Sequence, residues 1–200
     1  MGIYDYRGAI QIGFHGCDAA TRNKLLTNPF DVQKSIEKYD WLGSGFYVWE
    51  NNYKRAEKWA QEKKERELKK GNDFEPSVVG VVYILGNCLD LTDSKYTEML
   101  PDAFESLQQN YEAVGLSLPE NKDAKGDDNH DMLLRYRDCA VINHLCESLI
   151  PEKEEKFDTV RGIFPEGDFA YEGARIRLKT HTQISIRNLD CIKGFFLPKF

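Results

Sequence analysis

Residues 77 to 85 read SVVGVVYIL, a run of β-branched and apolar side chains broken only by one glycine. Such side chains are stiff at χ1 and sit well on a pleated backbone. A strand that is apolar at nearly every position has no wet face, so it belongs inside a sheet covered on both sides. A layered fold follows, and 200 residues with 41% hydrophobic content can build one as one domain spanning residues 1 to 200. Gly86 and Asn87 are expected to turn the chain, with 88 to 91 continuing the strand.

The flanking segments supply both kinds of element. Residues 9 to 14 (AIQIGF) read as a short strand that delivers His15 and Gly16 at its end. A helical stretch over 23 to 38 is interrupted by Pro29. The segment YDWLGSGFYVWE combines a turn at Gly43 and Gly45 with a strand at 46 to 49. A charged helix over 52 to 70 is capped by Asn51 or Asn52 and closed at Gly71, with Ala56, Trp59 and Ala60 on one apolar stripe. Its basic end reads as a solvated face, because glutamates interleave the lysines. Residues 94 to 118 and 131 to 149 read as helices around a polar loop at 119 to 129. After a charged linker at 151 to 156, strands are expected at 159 to 164, 175 to 178, 182 to 187 and 192 to 196. Strands at both ends with helices between indicate an α+β fold.

Several classes are disfavoured. A net charge of -6 argues against a surface built wholly for nucleic acid. The cysteines at 17, 88, 139, 146 and 191 form no CxxC pair, so neither a disulfide framework nor a zinc site is expected. His130 with Asp131, and His144 with Cys146, lack four-ligand spacing, and no metal is expected. No signal peptide or membrane-spanning run is visible, and a cytoplasmic location is the expectation. No GxGxxG or P-loop stretch occurs.

Three separated segments resemble, in order, the ADP-ribosyltransferase superfamily in its His-Tyr-Glu branch, which includes diphtheria toxin and the poly(ADP-ribose) polymerases. GFHGCD resembles that family's strand ending in His-Gly, and GSGFYVWENNYKRAEKWA its Gly-x-Gly-hydrophobic-Tyr strand and following helix. VVYILGNCLDL resembles a later landmark strand. The resemblance implies a split antiparallel β-sheet core with flanking helices and a helical insertion at about 94 to 150. It implies NAD as co-substrate, His15 on a ribose hydroxyl, Gly16 on the nicotinamide carboxamide and Tyr47 stacked on the nicotinamide ring. THTQISIRNLDCIKGFF resembles the third motif and places Gln183 where the family has its catalytic glutamate. The phrasing of FHGCD, YDWLGSGFYVWE and CIKGFF also resembles small bacterial members that act as toxins or phage-defence effectors, which would imply an antitoxin or inhibitor partner.

Cleavage of the nicotinamide-ribose bond passes through an oxocarbenium-like state, which stacking and hydrogen bonds to the ribose must hold. Taken alone, His15 and Tyr47 each fit a structural role; the ordered pair within glycine-containing motifs favours the site. Gln183 can donate and accept hydrogen bonds but takes up no proton. Losing a general base costs on the order of 10² to 10⁴ in rate where acceptor activation is limiting. Either the acceptor is nucleophilic unaided, another carboxylate helps, or the site only binds. Glu166, Asp168 and Glu172 lie in the loop FPEGDFAYEGARIRLKTH, and Glu172 is the preferred helper. The loop also carries Phe169, Tyr171, Arg175, Arg177, Lys179 and His181, a mixture suited to phosphate contact and base stacking, so Tyr171, Arg175 and Arg177 are the candidate acceptor-binding residues. A nucleic-acid and a protein acceptor are equally compatible. Tyr53, Trp49 or Trp59 could add a second ring beside the nicotinamide, with Trp59 read as core. Transfer of ADP-ribose to a macromolecule leads; an NAD glycohydrolase and a catalytically silent NAD or ADP-ribose-binding module are the alternatives.

Overall fold

The computed structural model describes residues 9 to 125, 129 to 150 and 156 to 199, so parts of the expected polar loop (126 to 128) and charged linker (151 to 155) lie outside the described residues. The apolar run forms strand β3 (Pro76–Tyr83) inside a seven-stranded sheet. Val79, Val81 and Tyr83 pack on one side with Val48, Ile184, Ile186 and Leu25. Val78 packs on the other with Phe14, Trp49 and Ala56. Both faces are covered, as a strand without polar alternation requires.

The other strands are β1 (Gln11–Asp18), β2 (Phe46–Glu50), β4 (Cys88–Asp90), β5 (Thr159–Phe164), β6 (His181–Ile186) and β7 (Ile192–Phe196). Their order across the sheet is β4-β5-β6-β2-β1-β3-β7. β4 and β5 run parallel, so the sheet is mixed, not wholly antiparallel as expected. Ladder length is uneven. β1 pairs with β3 along its whole length, from Gln11↔Tyr83 to Asp18↔Pro76. It meets β2 only at Gly13↔Glu50 and Phe14↔Trp49. A short seam therefore joins a β4-β5-β6-β2 block to a β1-β3-β7 block.

Helix α1 (Ala19–Thr27) begins directly after β1, because the Asp18 carboxylate accepts from Thr21 N–H at 2.6 Å. It ends before Pro29, so the helix expected over 23 to 38 starts earlier and stops sooner. Helix α2 (Tyr53–Lys69) is capped by Asn52, and Gly71 at φ 82 follows its end. Ala56 and Ala60 are buried as the stripe requires. α2 covers β1 and β3.

The expected helix over 94 to 118 divides into α3 (Ser94–Thr97) and α4 (Leu100–Ala113), with Pro101 in the first turn of α4. Proline tolerates a first turn because its missing N–H has no intrahelical partner there. Helix α5 (Tyr136–His144) continues into a π-helical turn at Leu145–Leu149. Tyr96, Leu107, Ile142 and Leu145 from this layer close over Leu42, Leu89 and Val160, covering the larger block.

Two local expectations fail for non-local reasons. Residues 88 to 90 do not continue β3: Gly86, at φ 58, turns the chain so that β4 pairs with β5 at the far edge. Thr159 Oγ1 donates to Leu85 O at 2.7 Å and Asn87 N–H to Asp158 Oδ2 at 2.9 Å, fixing that crossing. Residues 175 to 178 form no strand but part of a loop, with a single bridge between Phe169 and Arg177. Its backbone bonds stay within the loop, Ala170 N–H to Ile176 O at 2.9 Å and Leu178 N–H to Asp168 O at 2.8 Å, and Ile176 and Leu178 stay 64% exposed. All five cysteines are free and buried. No helix among the described residues is long and apolar enough to cross a membrane.

Candidate functional site

β6, β2 and β1 are neighbours, so the fold places Gln183, Tyr47 and His15 on three successive strands. His15 lies within β1, not at its end, at the point where the β1–β2 ladder stops. Its Nδ1–H donates to Tyr47 O at 2.8 Å, across the gap the ladder leaves. A carbonyl oxygen only accepts, so the proton sits on Nδ1 and Nε2 keeps its lone pair. The ring tilts against Phe46 at 4.5 Å, and burial lowers its pKa to about 4, leaving it neutral at physiological pH.

Gly16 points to the opposite face. A Cβ there would lie 2.5 Å from Ala56 O and 3.1 Å from the Trp59 ring, so α2 can dock only against glycine. Tyr47 shares that face, where its ring joins the cluster under α4 and α5. Its hydroxyl donates to Gly43 O at 2.7 Å and accepts from Leu42 N–H at 3.0 Å, closing the turn that precedes β2. Burial raises the phenol pKa well above the usual value.

Gln183 lies between Trp49 of β2 and Gly162 of β5, which are its direct cross-strand partners. The Trp41 indole N–H donates to its Oε1 at 2.7 Å. Trp41 lies over Gly162, where a Cβ would come within 2.6 Å of the indole, and its ring is 5.0 Å from Phe164. His181, two residues before Gln183 on the same strand face, donates from Nδ1 to Lys179 O at 2.7 Å. Its ring lies 5.7 Å from Phe164 and 6.1 Å from Trp49, and burial lowers its pKa to about 4. Gln183 thus sits among Trp41, Trp49, Phe164 and His181. Trp41 has no marker in the sequence, whereas the period-2 spacing of His181 and Gln183 could have paired those two.

The loop at 165 to 180 is anchored by its buried end. Glu166 accepts from Arg55 Nη2 at 2.8 and 3.0 Å, both residues being buried. Arg177, expected to face an acceptor, is bonded inward: Nη2 to Asp131 and Nε to Gly167 O at 2.8 Å. Glu172 and Arg175 are exposed, and Tyr171 is 65% exposed at the loop tip. Asp168 is exposed as well, and its carbonyl accepts from Leu178 N–H at 2.8 Å. Tyr53 packs against the Phe14 and Trp49 cluster and donates to Glu57 at 3.1 Å beside a 260 Å³ groove shared with Arg22, Gln61 and Ser77. A second concavity of 560 Å³ lies at Lys34, Asp158 and Arg187. Neither is lined by His15, Tyr47 or Gln183.

No protein-family model, curated protein or solved structure matches the chain. Among the described residues no group of three or more His, Cys, Asp or Glu side chains could hold a metal ion.

Proposed function

We propose that this chain transfers ADP-ribose from NAD to a macromolecular acceptor, on an ADP-ribosyltransferase-like split sheet, as a bacterial toxin or defence effector with an antitoxin partner. The observation that carries the reading is the seam. The three motif residues, far apart in sequence, fall on adjacent strands β1, β2 and β6, and the β1–β2 ladder opens at His15.

In this reading a ribose hydroxyl donates to the bare Nε2 of His15, which stays neutral and so does not alter charge as NAD enters. Tyr47 supplies an aromatic wall from the opposite face of the sheet, met across the seam, its hydroxyl already engaged by its own turn. The bond between the anomeric carbon and nicotinamide breaks with its electron pair on nicotinamide, and an acceptor lone pair forms the new bond. The acceptor proton passes to Glu172, since Gln183 takes none. Neither of the two grooves described above includes these side chains, so in this reading NAD is held across the seam itself.

The acceptor is a protein or a nucleic acid, met by the loop tip with Tyr171 and Arg175. A silent NAD-binding module is the second reading, favoured by the glutamine at 183 and by Glu166 being committed to Arg55. Calorimetric titration of NAD into wild type and His15→Ala tests the binding half. The expected result is saturable binding, weakened at least about tenfold by loss of the hydrogen bond and packing of the ring. Absence of binding to the wild type refutes it.

A further inference from the structure

An indole N–H has a proton and no lone pair, so the Gln183 atom it meets must be oxygen. The 2.7 Å bond from Trp41 therefore fixes the carboxamide with Oε1 occupied and its NH2 turned away. That NH2 has no hydrogen-bond partner among the described residues. The residue directly opposite, Trp49, is 4% exposed, and its indole N–H is also without a partner. Arg55, stacked over Trp49 at 5.7 Å, keeps a buried Nε–H without one. Buried donors left unpaired are costly. Here the buried ones, on Trp49 and Arg55, gather beside the Gln183 amide, where the acceptors are the Glu166 carboxylate, already held by Arg55 Nη2, and the bare Nε2 of His181.

The charges around them are balanced. Arg55 is neutralised by Glu166, Lys179 lies 2.9 Å from Glu62, Arg135 lies 3.1 Å from Asp138, and His181 is neutral. A spot rich in donors and poor in net charge favours an uncharged oxygen over an anion.

We propose that Trp41 is the positioning residue of Gln183, holding its carboxamide so that Gln183 and Trp49 donate together to an uncharged ligand oxygen, a sugar hydroxyl or an amide carbonyl. For NAD this rests on the reading above; the orientation of Gln183 does not. Trp41 is held by contacts that leave its ring little freedom, Gly162 beneath it and Phe164 beside it, so the amide cannot turn without losing its oxygen's donor.

The test is nitrogen-labelled NMR on the full chain. In ligand-free protein the Trp41 indole proton, assigned by its loss in Trp41→Phe, should exchange with solvent at least about tenfold more slowly than an exposed indole. Adding NAD should shift the Gln183 NH2 pair and the Trp49 indole, while inorganic phosphate at the same concentration shifts neither. Trp41→Phe keeps a ring but no donor, and should weaken NAD binding about tenfold. Gln183→Glu should keep the Trp41 indole protected yet lose the NAD response, because a carboxylate offers no N–H. A freely exchanging Trp41 indole overturns the positioning role without touching the NAD reading. A protected indole with no response to NAD overturns the subsite and that reading together, and a response to phosphate alone overturns the preference for uncharged oxygen.

Discussion

His15 donates from Nδ1 to the carbonyl oxygen of Tyr47 at 2.8 Å, bridging two strands whose backbone ladder stops one residue earlier. The ring replaces part of the missing ladder, which links stability to its protonation. His15 and His181 both have pKa values lowered from 6.5 to about 4 by burial. Between those values the unfolded chain binds more protons, so stability falls as pH drops through that window, by about 3 kcal/mol per ring. Asp40 acts oppositely, its pKa raised to about 6 by burial, so that protonation in the fold offsets roughly one ring. The expected outcome is a net loss worth about one ring between neutral pH and pH 4. Imidazole NMR titration with denaturation at matched pH checks it; titration of both rings near 6.5 would refute the burial argument.

The Arg55–Glu166 pair joins α2 to the base of the 165 to 180 loop from buried positions. Glu166→Gln should cost about 3 kcal/mol, since it leaves a buried guanidinium with only the longer contact to Glu62, 3.7 Å from Nη1. Replacing both residues with Met should recover much of that loss. Urea unfolding of the two variants and of wild type measures the difference, and equal stability of single and double variants would show that the pair is not desolvated.

Gly16 is fixed by packing. Gly16→Ala should destabilise by about 1 to 3 kcal/mol, because the added methyl meets the backbone carbonyl of Ala56 at 2.5 Å and α2 must shift. Gly71→Ala is a control for backbone conformation alone, as its φ of 82 meets nothing within 4 Å. Thermal unfolding separates the two effects.

Gln183→Glu supplies a base but removes a donor. It should raise the KM for NAD at least about tenfold, one lost hydrogen bond, and Trp41→Phe should then add no further loss. A double-mutant cycle on KM and kcat reads the coupling; independent, additive effects would contradict it.

What the sequence disclosed follows the range of the interactions involved. β5 and β7 have the expected limits, and α2 follows its expected helix within a residue at each end, because periodicity, the Asn52 cap and Gly71 are local signals. The paths of β4 and of residues 175 to 178 depend on which strands are neighbours, which no local pattern encodes. The segments around His15, Tyr47 and Gln183 marked these residues as candidates, and their strands prove to be neighbours. Trp41 was not, because its partner is 142 residues away and a loop tryptophan has no periodicity to mark it.

The most direct measurement is incubation of the purified chain with NAD labelled in the adenylate, with and without cell extract or RNA, following nicotinamide release as well. Label on a macromolecule with equal release of nicotinamide is expected, and should be lost in a Tyr47→Ala, Gln183→Ala double variant. Free ADP-ribose alone would redirect the chemistry to water, and intact NAD under every condition would contradict the transferase reading.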